Sequence, residues 1–435
     1  MQERSVLDRA GSMQLPEHVP IAILGAGLTG LSCGLELERQ RASYFIAERA
    51  GQVGGHATTR EERGYRFDRT GHLLHLRSRE LEDEVLSWLD GDCLRIERRS
   101  VVFSHGVYTR YPFQANTFGL PKQVAYECLL GYLQTLGAPK AERFHDFADF
   151  CQAHFGPGFC KHFMLPYNEK LWGVPASEIS SAWCQRFVPL PKLEDVLQGA
   201  LGLDDPKLGY NAQFLYPRRG IGALPEALAR RVPRIALNTA PKRIRASARE
   251  LCFETERVRY DALVSTLPLP ALLALFDELP SDVAEATSRL RASQLFYLDI
   301  ALDCPARQSF HWAYVPEPKY PFYRVGCYSQ FSPALAPPGK SSLYVELSTR
   351  TPGSVDAMLA EVLPGLCEMG VIESENDVAF ARLQRLDPAY VLYDHQHEAA
   401  LATITPFFGV TARDQQRALR RLELLVHGRR AAVRP

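Results

Sequence analysis

The chain has 435 residues, in which 50 Lys and Arg balance 50 Asp and Glu. This length exceeds what one hydrophobic core usually supports, so we expect two or three domains. The balanced charge provides no basic excess to neutralise a phosphate backbone, which excludes nucleic acid as an expected partner. The ten cysteines include no CxxC pair. This predicts no metal site and no disulfide framework, and it favours a reducing, cytoplasmic location.

Two further segments bear on location. Residues 1–20 carry several charges and lack the apolar core of a secretory signal. The longest apolar stretch, Leu263–Phe276, is interrupted by Pro268 and Pro270 and is too short to cross a bilayer. We therefore expect no transmembrane segment.

The first predicted elements form a strand, a helix and a second strand. An apolar run over Val19–Leu24 predicts a buried strand, and helical periodicity follows over Leu28–Leu37. Tyr44–Ala47 predicts the next strand. This order is typical of the unit that opens a doubly wound, Rossmann-like sheet.

A GxGxxG pattern lies at the turn between the first strand and the helix. Gly25, Gly27 and Gly30 would let backbone N–H groups and the helix N-terminus approach a pyrophosphate. Glu48 closes the second strand about 20 residues further on, where a carboxylate can accept hydrogen bonds from ribose hydroxyls. The combination predicts a dinucleotide-binding domain.

Two adjacent glycines, Gly54 and Gly55, follow that carboxylate and suggest a second close approach to the same cofactor, although the pair alone also fits a loop. The segment resembles a motif shared by amine oxidases, protoporphyrinogen oxidases and UDP-galactopyranose mutases. Tyr65–Asp68 resembles the strand that leads under the isoalloxazine ring in that group. The resemblance implies FAD, bound by these residues: Gly25, Gly27, Leu28, Thr29, Gly30, Glu48, Arg49, Gly54, Gly55 and His56.

The middle of the chain predicts a separate helical domain followed by a return to the nucleotide domain. Helical periodicity covers Ala125–Leu136 and Phe144–His154, whereas Pro189–Gly209 is polar and predicts a loop. A strand, a helix and a strand are then expected at Phe214–Tyr216, Ala223–Arg231 and Ile235–Leu237.

The last third of the chain predicts strands at Ala262–Thr266, Phe296–Leu302, Phe322–Tyr328 and Leu343–Leu347, the last three in an antiparallel sheet. The expected fold class is α/β: a Rossmann-like FAD-binding domain, an inserted helical domain and an antiparallel β-sheet substrate domain. The expected boundaries are 1–18 for a flexible tail, 19–90 with 211–275 for the FAD-binding domain, 120–200 for the helical domain, 91–119 with 276–400 for the substrate domain, and 401–435 for an atypical tail.

Several motifs resemble the UDP-galactopyranose mutase family, mainly its eukaryotic-type branch, over residues 21–390. They are Gly71-His72-Leu73-Leu74, Tyr111-Pro112-Phe113-Gln114, Phe163–Gly173, Trp183-Cys184-Gln185-Arg186, Tyr210-Asn211-Ala212, His311-Trp312-Ala313-Tyr314 and Pro321-Phe322-Tyr323-Arg324, with Tyr390 downstream. Each motif alone also fits a structural role, such as a turn histidine, an aromatic core strand or an edge arginine.

The resemblance implies a role for each matching position. His72 would lie at the flavin face, while Arg186 and Arg324 would reach the sugar and the diphosphate. These three are the expected catalytic residues. The implied substrate-binding residues are Tyr111, Gln114, Phe163, Asn168, Arg186, Asn211, Trp312, Tyr314, Arg324 and Tyr390. A glutamine amide suits a uracil imide, and an arginine fork suits a diphosphate.

The leading hypothesis is an enzyme that interconverts UDP-galactopyranose and UDP-galactofuranose. In that family, N5 of reduced FAD bonds to the anomeric carbon while UDP leaves, so the resemblance implies a nucleotide-sugar substrate and allows NAD(P)H as an external reductant. The alternatives are an FAD-dependent oxidoreductase of the amine oxidase or protoporphyrinogen oxidase type, and a relative impaired in flavin binding. The sequence predicts no oligomeric state.

The C-terminal segment lacks a motif that the family places after the position of Tyr390, Gly-Arg-Phe/Tyr-Gly-x-Trp-x-Tyr. Codons compatible with the segment from Arg417, when read one base later, encode Gly-Arg-Tyr-Gly-Ala-Trp-Asn-Tyr. We therefore hypothesise a frameshift before Arg417. Its consequence would be the loss of one diphosphate arginine and of part of the flavin cradle.

Overall fold

A computed structural model describes residues 14–76, 78–137, 139–184, 188–203 and 213–409. The strands are β1 His18–Leu24, β2 Tyr44–Ala47, β3 Thr59–Glu62, β4 Tyr65–Asp68, β5 Cys93–Glu97, β6 Ser100–Ser104, β7 Val107–Arg110, β8 Gln213–Pro217, β9 Ile235–Ala236, β10 Arg243–Arg245, β11 Glu250–Cys252, β12 Arg257–Ser265, β13 Arg291–Ala292, β14 Leu295–Leu302, β15 Trp312–Tyr314, β16 Phe322–Cys327, β17 Ser341–Leu347, β18 Val378–Leu386 and β19 Val391–Leu392.

The α-helices are α1 Leu28–Arg39, α2 Arg79–Trp88, α3 Lys122–Leu136, α4 Phe147–Phe159, α5 Leu165–Trp172, α6 Leu193–Leu201, α7 Ala223–Ala229, α8 Leu269–Leu273, α9 Ser281–Ser288, α10 Tyr328–Phe331, α11 Val355–Glu368 and α12 His397–Ile404. A π-helical turn, Cys160–Met164, joins α4 to α5. Within the described ranges, every helix is too short or too polar to traverse a lipid bilayer.

The nucleotide-binding sheet contains six strands in the order β10-β11-β12-β1-β2-β9. Strands β12, β1, β2 and β9 run parallel, and β10 and β11 form an antiparallel edge. All four residues of β2 are buried, as expected of a parallel strand covered on both faces. On one face, Leu31 and Leu35 of α1 pack with Ala227 and Leu228 of α7. This layer carries the predicted dinucleotide motif.

The helical part packs α3 against α4 at very short range. A Cβ at Gly158 would lie 2.2 Å from the carbonyl oxygen of Glu127, so the two backbones touch. Helix α4 is kinked at Gly156, just before Pro157, and continues through the π turn into α5. Phenylalanines of this region fill a core that also contains aromatic residues of the large sheet. Through this continuous helical path, α5 packs against β16 of that sheet.

The large sheet contains seven strands in the order β18-β14-β17-β16-β15-β6-β7. Its pairs are antiparallel except β15 with β6. All seven residues of β17 are buried. The register places Tyr314 opposite Arg324, and Arg324 opposite Glu346. Three neighbouring strands therefore bring a phenol, a guanidinium and a carboxylate into one row, and the predicted antiparallel sheet is confirmed.

The prediction of a loop over Pro189–Gly209 is wrong for its central part, where α6 forms. The backbone N–H of Lys192 donates to the Asp195 carboxylate at 2.9 Å, which caps the helix start, and Gly202 ends the helix in a left-handed conformation. Val196 anchors α6 in the aromatic core. Residues 204–209 lie outside the described residues.

The predicted strand at Phe214–Tyr216 forms as β8, but its pairing differs from that of a Rossmann strand. It pairs with β5 in a separate two-stranded sheet, and the chain rejoins the nucleotide-binding sheet at β9. The reason is the alternation of β8: Leu215 packs in the nucleotide-domain core, whereas Phe214 and Tyr216 face the aromatic core. Strand β8 therefore bridges two cores.

Candidate functional site

Bare backbone forms the candidate cofactor cradle at the N-terminus of α1. Gly27 pairs with Gly54 in an isolated bridge, and the N–H of Gly54 donates to the Ala26 carbonyl at 2.8 Å. A Cβ at Gly27 would meet nothing closer than the Gly55 Cα at 4.0 Å, so the two glycine segments leave an open surface. No side chain caps the start of α1. This cradle fits a pyrophosphate, because side chains would fill it and helix N–H groups point towards it.

Gly25 and Gly30 have a different role from Gly27. Gly25 has φ +99°, and a Cβ at Gly30 would lie 1.9 Å from the Gly25 carbonyl oxygen. Only glycine permits this turn and the close packing of the strand against the helix. Within one motif, two glycines therefore shape the turn and the third leaves room for a ligand.

Backbone groups hold the Glu48 carboxylate at the end of β2. One oxygen accepts a hydrogen bond from the N–H of Ala26, and the other accepts one from the N–H of Ala50, both at 2.7 Å. Each carboxylate oxygen can accept a further bond. Glu48 is therefore oriented and still able to bind ribose hydroxyls. Of the other expected cofactor residues, Thr29, Arg49 and His56 are exposed around this cradle.

His72 lies between the cradle and the candidate substrate residues. Burial is the largest cause that lowers the pKa of His72, and the nearby charges of His56 and Arg324 lower it further. Its Nδ1 atom is buried without a hydrogen-bond partner. A neutral imidazole with an unpaired ring nitrogen fits the predicted position beside a flavin, because it can offer a donor or an acceptor to the ring edge.

A buried polar network supports the segment that precedes His72. The Asp68 carboxylate accepts hydrogen bonds from Thr59 at 2.6 Å and from the N–H of Ile221 at 3.2 Å, and it also bonds the Tyr216 hydroxyl. Tyr328 donates to the Asp68 carbonyl at 2.6 Å and contacts the Asp299 carboxylate at 3.2 Å. The hairpin β3–β4 is therefore fixed to β8 and the turn that follows it on one side and to the large sheet on the other.

Arg324 is the centre of the candidate substrate site. Its guanidinium lies 3.4 Å from the Glu346 carboxylate, a residue with no exposed surface, and its Nε atom is buried without a hydrogen-bond partner. Desolvation raises the pKa of Glu346, while the charge of Arg324 opposes that rise. Neither carboxylate oxygen of Glu346 has a hydrogen-bond partner among the described residues. The pair therefore retains unused hydrogen-bonding capacity.

Tyrosine rings form a wall around Arg324. Its guanidinium carbon lies 5.8 Å from the ring centroids of Tyr314 and Tyr323. Tyr314 contacts Tyr111 at 4.7 Å and Tyr167 at 5.3 Å between centroids. The structure therefore brings together Arg324, Tyr314 and Tyr111, three residues that the sequence analysis had selected from separate motifs.

A second aromatic stack continues from this wall. Phe163 stacks on Phe113 at 5.0 Å and on Tyr167 at 5.3 Å, with interplanar angles of 16° and 4°. Phe163 belongs to the π-helical turn. Such turns occur often at functional sites, because the extra residue redirects the side chains that follow. The rings are almost fully buried, so they pack mainly on one another.

Two amide side chains beside the stack, those of Gln114 and Asn168, use only part of their hydrogen-bonding capacity within the protein. Gln114 is buried, and its Nε2 atom donates to the Pro189 carbonyl at 3.1 Å. The Asn168 Nδ2 atom donates to the Met164 carbonyl at 2.7 Å within its own helix. Each amide keeps its oxygen and one N–H free of these bonds. This matches the uracil imide edge, which requires one donor and one acceptor from the protein.

Of the remaining expected substrate residues, the structure describes Trp312 and Tyr390. Trp312 is buried against Phe214 and Phe331. It lies two residues before Tyr314 in β15. Tyr390 contacts Trp172 at 5.8 Å, and the charge of Arg324 lowers its pKa against the larger effect of burial. Arg186 and Asn211 lie outside the described residues.

Sequence reasoning missed several members of the site. Arg98 lies 5.8 Å above the Tyr111 ring, and burial lowers the pKa of this guanidinium. Tyr167 precedes Asn168 in a quoted motif, so its position in that motif was an available signal. Glu346 lies in the middle of a buried strand and gave no motif. Only the strand register reveals that it opposes Arg324.

Comparisons with known families support the cofactor assignment. Residues 23–86 match the family described as NAD(P)-binding Rossmann-like domain. Residues 194–383 match the family described as flavin containing amine oxidoreductase. The first match contains the glycine cradle and Glu48. The second match contains β8, Trp312, Arg324 and Glu346.

Solved structures share the whole architecture. Reduced UDP-galactopyranose mutase superposes with a TM-score of 0.84 at 25% identity, covering 89% of this chain and 87% of the other. A candidate protoporphyrinogen oxidase from an Exiguobacterium species gives 0.69 at 16%, covering 91% of each chain. Putrescine oxidase bound to putrescine gives 0.61 at 14%, covering 88% and 90%.

The two family matches and these superpositions show a Rossmann-like domain combined with an amine oxidase domain, in the fold of UDP-galactopyranose mutase. Together with the glycine cradle, the family matches support FAD as the cofactor.

Proposed function

We propose that the protein is a flavin-dependent nucleotide-sugar mutase that interconverts UDP-galactopyranose and UDP-galactofuranose. The observation that carries this proposal is the Arg324 guanidinium, which lies among tyrosine rings and 3.4 Å from the Glu346 carboxylate, with its Nε–H unpaired among the described residues. A largely buried, aromatic-lined cation with an unpaired N–H group suits a diphosphate. Amine substrates are cationic, and a guanidinium would repel them.

Two neighbouring features support a nucleotide rather than a simple phosphate. Phe163 and Tyr167, which stack with Phe113 and are almost fully buried, would place aromatic rings beside the base, and Gln114 keeps one donor and one acceptor next to them. A uridine placed there would direct its diphosphate towards Tyr314 and Arg324. Base, diphosphate and sugar would then follow one path from the helical part to the cradle.

The chain's own residues would act mainly by orientation and charge. Arg324 would stabilise the departing diphosphate, which is most negative when the anomeric bond breaks. In line with the family resemblance, Trp312, Arg186 and Asn211 are proposed to confine the sugar, and Tyr390 is proposed to bind the diphosphate together with Arg324. His72, kept neutral by burial, would hydrogen-bond the flavin edge or hold a proton there.

FAD in its reduced form would supply the nucleophile for the sugar, and NAD(P)H is a proposed external reductant. Glu48, Gly27 and Gly54 would hold the ribose and the pyrophosphate. The buried network around Asp68 and Tyr328 would keep the segment of His72 in place.

The test is turnover by the FAD-loaded protein. UDP-galactofuranose is incubated with dithionite-reduced and with oxidised protein, and the nucleotide sugars are separated by chromatography. We expect conversion to UDP-galactopyranose with the reduced protein alone. Absence of product from fully FAD-loaded, reduced protein would contradict the proposal. Flavin reduction by an amine or by a porphyrinogen under the same conditions would favour the oxidoreductase alternative instead.

A further inference from the structure

Two partly buried cations at the C-terminal end of α5 have no role in the site described above. Lys170 and Arg350 are largely removed from solvent, and burial is the largest cause that lowers the pKa of each. A buried cation is costly unless its charge is compensated by hydrogen bonds or a partner. Their contacts therefore indicate what they do.

Lys170 connects α5 to the loop that follows β15. Its Nζ atom donates to the carbonyl oxygens of Val315 at 3.0 Å and of Glu317 at 2.9 Å. Val315 follows Tyr314 directly in the chain, and Tyr314 is part of the tyrosine wall. One side chain thus joins the helix of Asn168 to the segment that carries Tyr314.

Arg350 fixes the same helix from the other side. It donates to the carbonyl of Leu171 at 2.8 Å and to that of Lys170 at 3.2 Å, and also to the Gln294 carbonyl at 2.6 Å. The first two are carbonyls of the last helical turn, and the third precedes β14. Gly173 makes room for this contact, because a Cβ there would lie 2.2 Å from the Arg350 Nε atom.

The two walls of the proposed nucleotide pocket come from different parts of the fold. Helix α5 supplies Tyr167 and Asn168, and β15 supplies Tyr314. Their rings meet only edge to face, at 5.3 Å between Tyr167 and Tyr314. Such a contact is worth about 0.5–1.5 kcal/mol, which is little to fix the spacing of the two segments that carry these rings. A directional link between the walls would fix it better.

We propose that Lys170 is a positioning residue for nucleotide binding: it holds α5 and the loop after Tyr314 at a fixed spacing, so that both walls of the pocket act as one unit. This inference rests on the proposed function, because it assumes that UDP occupies the pocket. Arg350 fixes the helix on its other side, since it joins the last turn of α5 to the residue that precedes β14. Lys170 itself touches no substrate.

The test compares UDP affinity in Lys170→Met, Lys170→Arg and Lys122→Met. Methionine keeps the length of the stem and removes the donors, arginine keeps charge and donors, and Lys122 is an exposed lysine of α3. We expect the UDP dissociation constant of Lys170→Met to rise about tenfold, with FAD content unchanged. Lys170→Arg and Lys122→Met should stay near wild type.

The outcomes separate this inference from the proposed function. If the wild-type protein binds no UDP, the proposed function fails. If wild type and Lys170→Met bind UDP equally well, Lys170 has no positioning role, while the function stands. A loss of FAD and of thermal stability in Lys170→Met, with UDP affinity restored at low temperature, would reduce Lys170 to a purely structural residue.

A measurement on the wild-type protein covers the case in which Lys170→Met fails to fold. Amide hydrogen exchange is followed with and without UDP. We expect UDP to slow exchange in α5 and in residues 315–319 together. Protection of one segment without the other would overturn the proposal, because walls that act as one unit must respond together.

Discussion

At the scale of single residues, the buried pair of Arg324 and Glu346 distinguishes this site from an ordinary core. Arg324 exposes 19% of its side chain and Glu346 none. The desolvation cost of such a pair usually cancels much of its attraction, so it contributes little to stability. We expect a ligand to use the Nε–H of Arg324, which is unpaired among the described residues.

The matching prediction concerns Arg324→Met, alone and combined with Glu346→Gln. Alone, the substitution leaves a buried carboxylate without its partner, so we expect loss of both stability and UDP affinity. Adding Glu346→Gln should restore most of the stability, since no unpaired charge remains. UDP affinity should stay ten- to a hundredfold below wild type, about 1.5–3 kcal/mol.

Thermal unfolding and calorimetric titration with UDP measure the two effects separately, and the FAD content of each variant serves as a control. Recovery of UDP affinity in the double variant would remove Arg324 from the site.

At the scale of elements, the cradle combines the turn before α1 with the segment around Gly54. The Gly27→Val variant tests it sharply, because a side chain at that position meets no protein atom closer than 4.0 Å from its Cβ. The fold should therefore survive, while the added methyl groups occupy the pyrophosphate position. We expect loss of bound flavin with little change in the unfolding temperature.

A control is Gly137→Val, at an open position with φ −92° in the helical part. It should retain the full flavin absorbance at about 450 nm, a property of oxidised FAD itself. A Gly27→Val protein that is equally yellow would show that the pyrophosphate lies elsewhere.

The contact between the β3–β4 hairpin and β14 predicts a pH dependence of stability. Burial raises the pKa of Asp299 to about 7, against the opposing effect of Arg60 at 3.1 Å. A raised pKa in the folded state means that the native protein binds more protons than the unfolded chain. The stability contributed by protonated Asp299 is therefore lost as the pH rises from the model-peptide range, about 3.9, towards 7.

Denaturant unfolding at about pH 5 and about pH 7.5 measures this loss. Asp299→Asn should show a smaller decrease in unfolding free energy between the two values than the wild type. Burial also raises the pKa of Asp68, to about 6. Asp68 is present in both proteins, so its contribution to the pH dependence of the unfolding free energy is the same in both. An equal or larger decrease in the variant would contradict the assignment.

Elements with a strong local pattern were predictable from the sequence. The predicted strand Tyr44–Ala47 has the bounds of β2, and α1 extends only two residues beyond its prediction. Helix α6 was missed because it is short and follows two prolines, and its burial depends on Val196 in a distant core. Pairing across strands, as between Arg324 and Glu346, depends on tertiary register and has no local signal.

At the scale of the whole molecule, the candidate site forms where three parts of the fold meet. The nucleotide-binding sheet supplies the cradle, the helical part supplies Phe163 and Asn168, and the large sheet supplies Tyr314 and Arg324. No one part contains the complete set, so the site requires the packing of all three. The motifs selected Tyr111, Tyr314 and Arg324, and the structure shows the contacts that join them.

The C-terminal hypothesis also belongs to this scale and stays a prediction, because residues 410–435 lie outside the described residues. The third bases of the codons from Arg417 decide it. Bases incompatible with the shifted sequence Gly-Arg-Tyr-Gly would end the frameshift hypothesis. If the shift is real, restoring the motif should increase FAD retention.

The most direct test of the account is the visible spectrum of the purified protein during titration with UDP, before and after reduction by dithionite. The account predicts a yellow protein whose flavin bands shift as UDP binds next to Arg324 and His72. The shift should be absent in Arg324→Met with Glu346→Gln. If saturating UDP leaves the flavin spectrum of the wild-type protein unchanged, the assignment of a nucleotide-sugar site is contradicted.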